Sequence, residues 1–398
     1  MQRQAFLVWV NVVAFFCLVA PSYAETTPAV SEPTTPQKDT ETLHFPIGHS
    51  LGKIVVFCPE TAEDQSGRYT DRRPCRTLGE AQGDVVVPLG EDLGLAPSPF
   101  ESYEPGAADV DKLLSRVTQL YTCGVFTYQC DHQPQDVMTL APHMPRLRSV
   151  QTSVLNKGLI EALKTLPNVK ELHVVDRLPR SGMESLADLQ HVERLGLSTL
   201  PESLAPFGAI PNLKVLDLLL RGGQSNLHAL DSYTERESVG LRLSLDCSLS
   251  QKELEYLCKY KTIEGIHFYL TAMACQDQQD YTYFLRPLSQ LPRLRYLVCG
   301  CCGYLNEQSM DDLTKLTSLN VLEMRNVQGC TDTLLQRITP LSSLTYLAID
   351  SKNLTDACLP ALQVLSSLKT LVLWRSHKIS PEGLAELRKT VTVLEDAH

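Results

Sequence analysis

The amino-acid sequence predicts an α/β solenoid: a parallel sheet on the concave side, short helices on the convex side, and a small β-rich module in front. Three observations carry that expectation. An apolar pattern, L-x-x-L-x-x-L-x-x-L-x-L, recurs through the C-terminal two thirds of the 398 residues. A shorter pattern follows most copies and has the composition of a helix start. Ahead of both, residues 44–106 carry Gly and Pro punctuation around short β-rich runs.

The first residues read as a targeting segment. Arg3 is followed by an apolar run from Ala5 to Ala20, broken by Asn11, and then by Pro21-Ser22-Tyr23-Ala24. That order fits a secretory signal spanning residues 1–24, with cleavage after Ala24. The alternative is an uncleaved anchor, but the run falls short of the roughly 20 residues that span a bilayer. Cys17 follows two Phe residues, which disfavours lipid attachment there. Residues 25–43 contain three Pro and six Thr with little that is apolar, and read as a flexible linker.

Within residues 44–106, Lys53–Phe57, Asp84–Val87 and Asp92–Leu95 read as short strands. The module has two readings. It either caps the apolar end of the repeat array or forms a small ligand-binding β domain, and the general need of solenoids for end caps favours the first.

Residues 107–398 hold the array. Clear copies of the apolar pattern run over Leu163–Val174, Leu186–Leu197, Phe207–Leu218, Leu257–Phe268, Leu288–Cys299, Leu313–Met324, Ile338–Ile349 and Leu362–Leu373. Degenerate copies fit at Val117, Leu147 and Ser238, and an insertion near Gln276–Tyr283 lengthens one spacing. The second pattern is an apolar residue, a capping residue, a short polar stretch and another apolar residue. It occurs at Leu249–Leu254, Leu305–Met310, Cys330–Leu335, Leu354–Leu359 and Ile379–Leu384. Ser, Thr or Asn there caps a helix, and acidic residues follow where the helix dipole favours them. Pro381 occupies a first helical position, where its missing donor costs least.

One short strand and one short helix cannot bury their apolar sides alone. Stacking aligns every L-x-L in one column and every helix face in another. The pattern resembles the leucine-rich repeat family, in the variant whose units carry a threonine-aspartate helix cap. The likeness covers about 280 residues and is best from Leu313 to Leu394. Such units are common in exported bacterial proteins and are also similar to those of F-box ubiquitin-ligase adaptors, although no F-box-like helical module precedes this array. The resemblance implies fold and says little of function.

The chain carries 13 Cys. Cys299, Cys330 and Cys358 fall where the repeat wants a small buried apolar group, and are expected to be free thiols. Cys58 with Cys75 and Cys123 with Cys130 are candidate disulfides whose pairing stays open. Cys299-Gly300-Cys301-Cys302 lacks the second ligand pair of a zinc site, so no metal is expected. Nor is a cofactor, because the chain has no P-loop, dinucleotide fingerprint, G-x-S-x-G or H-E-x-x-H. Asn353-Leu354-Thr355 matches a glycosylation acceptor, relevant only in a eukaryotic secretory source.

Charge and surface chemistry narrow the function. With 46 acidic against 36 basic residues the chain stands at -10, and at -11 once Arg3 leaves with the signal. Nucleic acid is therefore not an expected partner. Alternation along the strands turns Leu297, Leu322, Leu347 and Leu371 inward. His173, Arg194, Asp217 and Arg242 face outward, as do His267, Tyr269, Tyr296, Glu323, Arg325, Tyr346, Asp350 and Trp374. The last eight are the candidate protein-binding residues, since Tyr, Trp and Arg are enriched in interface hot spots. The leading expectation is a non-enzymatic scaffold, exported to the periplasm, cell envelope or medium, that holds a protein or peptide on its concave face. After signal cleavage it has no stable membrane insertion. A structural or envelope-associated spacer, and an unrecognised ligand-binding or enzymatic activity in the N-terminal module, are the alternatives.

Overall fold

A computed structural model describes residues 40–45, 50–57, 74–89, 92–97, 108–121, 140, 143–177, 185–221, 224–246, 249–268, 282–299, 303–325, 327–350, 352–375 and 378–395. The expected signal (residues 1–24) lies outside these residues, as do Tyr269, Cys58, Cys123, Cys130, Cys301, Cys302 and most of the Gln276–Tyr283 insertion.

Among the described residues, one sheet of 15 strands runs the length of the molecule, from Thr392–Glu395 at one edge to Pro74–Glu80 at the other. Each repeat contributes the L-x-L portion of its pattern as a strand, including Arg194–Leu197, Val215–Arg221, Gly240–Asp246 and Ile263–Phe268. Tyr296–Cys299, Val321–Met324, Tyr346–Asp350 and Thr370–Trp374 continue the stack. All these neighbours pair in parallel, and the register sets one column of apolar residues: Leu218, Leu243, Ile266, Leu297, Leu322, Leu347 and Leu371. These residues join one apolar core that extends from Leu43 to Val391.

The helix starts stand where the capping pattern places them. Ser250, Asn306, Thr331, Thr355 and Ser380 each accept a backbone N–H of the turn they open. The acidic residue after the cap has a further role that macrodipole reasoning did not foresee. Asp332 accepts the Thr355 N–H at 2.9 Å and the Thr355 hydroxyl at 2.7 Å. One repeat later, Asp356 accepts the Ser380 N–H at 2.8 Å, and the Ser380 hydroxyl together with this N–H holds its carboxyl below the ordinary aspartate range. Each carboxylate therefore fastens its repeat to the cap of the next.

Two features of the N-terminal part go beyond the sequence expectations. Residues 40–43, assigned above to the linker, form with His44 a strand antiparallel to Asp84–Pro88, in which Leu43 points inward and is fully buried. The division at 106/107 does not separate two sheets. Gly52–Phe57, Pro74–Glu80 and Leu93–Pro97 pair antiparallel, and Leu93–Pro97 then pairs in parallel with Val117–Tyr121. Helix Ala108–Arg116 bridges the two, burying Val110, Leu113 and Leu114 in the common core. The module thus extends the repeat sheet and covers the end of its core.

Cys299, Cys330 and Cys358 are free and buried, together with Cys258. Burial pushes the Cys330 and Cys358 thiols up to about 12 and Cys258 to about 11. All four should resist alkylation in the native protein and react on unfolding, which peptide mass mapping would show. Cys330→Ser should destabilise by about 1–3 kcal/mol, the cost of a poorly satisfied buried hydroxyl. Native-state labelling at Cys330, or a silent serine variant, would contradict this placement.

Candidate functional site

The sheet has a second side, turned away from the leucine core. Register places His173, Gly196, Asp217, Arg242, Gly265, Tyr296, Val321, Tyr346 and Thr370 in one row across it. Two residues further along the strands, Ser244, His267, Val298, Glu323, Ala348 and Val372 form the next row, and Asp350 stands beside Trp374 beyond it.

Toward the C-terminal end this side is apolar. Val321, Tyr346, Ala348 and Val372 make a buried cluster separate from the main core, with Tyr296 and Trp374 partly buried against it. On a solvated sheet face these positions would be polar and open. Here they form a second apolar layer under an aromatic rim.

Charges on the same side are paired in one way. A carboxylate lies at the sheet surface, buried in three pairs and half-buried at Glu264, and an arginine covers it. Arg194 Nε donates to Asp217 at 2.6 Å, and Arg242 Nε to Glu264 at 2.8 Å. Arg325 donates to Glu323, which is fully buried, and Arg375 pairs with Asp350. Two of these guanidiniums also rest on rings: Arg242 lies 4.5 Å from the Tyr296 centroid and Arg325 lies 5.2 Å from that of Trp374. Cation–π contacts contribute from about 0.5 kcal/mol where exposed to about 2 kcal/mol where desolvated.

Local sequence explains the arrangement. Gly265 separates Arg242 from Tyr296 in the row, and a Cβ there would come within 3.2 Å of the arginine stem and 3.5 Å of Tyr296. Glycine leaves the stem room to lean across. A register shift after Leu241 inserts Glu264 into the ladder and aims its carboxylate over Gly240, where a Cβ would lie 2.2 Å from it. Arg375 has φ of 60°, the one left-handed non-glycine among the described residues. Such backbone costs about 1–3 kcal/mol and persists where its surroundings demand it, here by returning the guanidinium to buried Asp350.

The eight expected binding residues therefore divide. Tyr296, Arg325 and Trp374 are partly exposed, Tyr296 and Trp374 packing on the apolar cluster and Arg325 on the Trp374 ring, and His267 lies half-buried on the second row. Tyr346, Glu323 and Asp350 are on the expected side but are buried, at 1%, 0% and 2% exposure, so they form the floor of the patch and not its contact surface. Tyr269 lies outside the described residues. The strained Arg375 and the covered Glu264 had no signal in the repeat pattern.

Elsewhere, a polar cluster lies beside helix Gln251–Leu257. Tyr256 donates to Asp231, His228 Nδ1 lies 3.2 Å from Asp231, and the Tyr256 and Tyr260 hydroxyls are 3.2 Å apart. Burial and then the Asp231 contact push the Tyr256 phenol well above its ordinary range. A phenol so shifted is a poor acid or nucleophile at neutral pH.

No family model and no curated protein matches the chain. Solved structures similar to it include an internalin of Listeria monocytogenes, at 16% identity over 72% of this chain and 89% of that one, with a TM-score of 0.36. A leucine-rich repeat protein of Leptospira interrogans aligns at 13% identity over 76% and 95%, with a TM-score of 0.24. The TLR13 of a TLR13–ssRNA13 complex aligns at 15% identity over 71% of this chain and 37% of its own length, with a TM-score of 0.30. The fold rests on the chain's own geometry: leucines in register through successive parallel strands, and a capped turn of helix opening the C-terminal repeats. By that construction the chain is a leucine-rich repeat solenoid.

Proposed function

We propose that the chain is a non-enzymatic recognition scaffold that holds a protein or peptide on the concave side of its sheet, with Tyr296, Arg325 and Trp374 as principal contacts. The apolar layer of Val321, Tyr346, Ala348 and Val372 beneath an aromatic and arginine rim carries this reading. Rigid aromatic groups over a dry floor have the composition of an interface hot spot. The thiols and phenols with shifted pKa values all move away from neutral pH, which supports binding over catalysis. Arginines already matched by carboxylates leave no basic stripe for a phosphate backbone. No cofactor is called for.

Trp374→Ala should weaken partner binding by about 1–2 kcal/mol while leaving the fold intact. Affinity capture with the wild-type chain and the variant in parallel, with circular dichroism of both, reads this out. Equal recovery of the same partner by the two proteins would move attention to the N-terminal module.

The site of action belongs to the same proposal. Among the described residues no helix is long and apolar enough to cross a membrane. We place the protein outside the cytoplasm on the order of charge, apolar run and small residues in residues 1–24. N-terminal sequencing of material recovered from outside the cytoplasm should begin at Glu25. An intact Met1 on a membrane fraction would establish the anchor instead.

A further inference from the structure

The charge arrangement of the patch specifies more than its position. Among the described side chains, four arginines stand on this side of the sheet from Arg194 to Arg375, and each pairs with a carboxylate: Asp217, Glu264, Glu323 and Asp350. Among the side chains described there, cations and anions therefore cancel pair by pair. The cancellation is local. The carboxylates lie under the guanidiniums, with Glu323 and Asp350 almost completely buried. An arriving anion would meet a guanidinium already engaged by a carboxylate, through Nε in Arg194, Arg242 and Arg325 and through Nη2 in Arg375, with a second negative charge directly behind it. An arriving ring or aliphatic group would meet the Tyr296 and Trp374 rings and the flat outward faces of Arg242 and Arg325 laid on them, all held above the buried apolar floor. Stacking on guanidinium planes and rings needs no net charge in the ligand.

We infer that this surface selects an uncharged peptide segment rich in aromatic and large aliphatic side chains, and discriminates against acidic segments. The inference rests on the recognition role proposed above and adds the chemistry of the partner. In this arrangement the arginines act as stacking platforms fixed from beneath, and the buried carboxylates are specificity devices that remove the attraction an unpaired arginine row would exert on polyanions.

The test is selection of a phage-displayed random 12-residue peptide library on the full chain, with recovered peptides synthesised and titrated. Uncharged sequences rich in Tyr, Phe, Trp and Leu should be enriched. Their affinity should change less than about threefold between low salt and about 1 M salt, where the Debye length shrinks to about 3 Å. It should fall about tenfold in Trp374→Ala, with circular dichroism unchanged. Enrichment of acidic peptides with steeply salt-dependent, Trp374-dependent affinity would overturn the inference while leaving the binding surface in place. Peptides that bind Trp374→Ala as well as wild type, or recovery of no binder at all, would overturn the recognition role itself.

Discussion

Tyr346→Ala lowers stability by about 3–5 kcal/mol, the range for removing a large buried aromatic side chain. Tyr346 is 1% exposed and packs with Val321, Ala348 and Val372, so truncation opens a hole in the second apolar layer. Tyr346→Phe keeps the ring and retains most of the stability. The effect is read as a drop in the urea midpoint with an unchanged slope. A Tyr346→Ala protein with a wild-type midpoint would mean that the ring stands in solvent, and that the patch has no floor. The expectation also changes how binding data on this position are interpreted. Weaker binding by Tyr346→Ala reports a disturbed platform, whereas Trp374→Ala removes a contact.

Gly329→Ala costs about 2–4 kcal/mol. Gly329 has φ of 77°, and a Cβ would stand 2.6 Å from the Leu305 carbonyl oxygen and 3.0 Å from the Tyr304 ring. The left-handed backbone costs an L-residue about 1–2 kcal/mol, and moving a backbone carbonyl in a packed turn adds a similar amount. That carbonyl belongs to Leu305, whose N–H donates to Gln328 at 2.9 Å, so the strain enters the contact between two successive repeats. Gly208 is the control. A Cβ there meets nothing within 4 Å, and Gly208→Ala should be close to neutral. Equal midpoints for the two variants would show that the turn after Val327 is free to rearrange.

The fold was legible because its signals are local and repeated. Leucine spacing sets the strand register, and five capping residues mark five helix starts at the expected positions. The N-terminal strands Thr40–His44 and Pro74–Glu80 were missed because Thr, Glu, Arg and Pro dominate them, and their pairing is set by partners far along the chain. Part of the site was legible as well. Alternation assigned Tyr296, Glu323, Tyr346 and Trp374 to the correct side of the sheet. It did not assign their exposure, which depends on how far neighbouring side chains reach across strands about 4.8 Å apart. Arg325 covers Glu323 and leans to Trp374, two strands away in the sheet, and no single repeat contains that fact.

The carboxylates that join one repeat to the next cap give the array a direction of growth. Asp332 serves Thr355 and Asp356 serves Ser380, but the residue after Ser380 is Pro381, which offers no acceptor to a following unit. A repeat duplicated between Thr331 and Ser380 would inherit both halves of the joint, with its own cap received from behind and its own carboxylate presented ahead. A repeat appended beyond Leu387 would lack this fastening at its cap, and Pro381→Asp would supply it. The array can therefore be lengthened from within with these joints intact, and Pro381 marks where that series of hydrogen bonds ends.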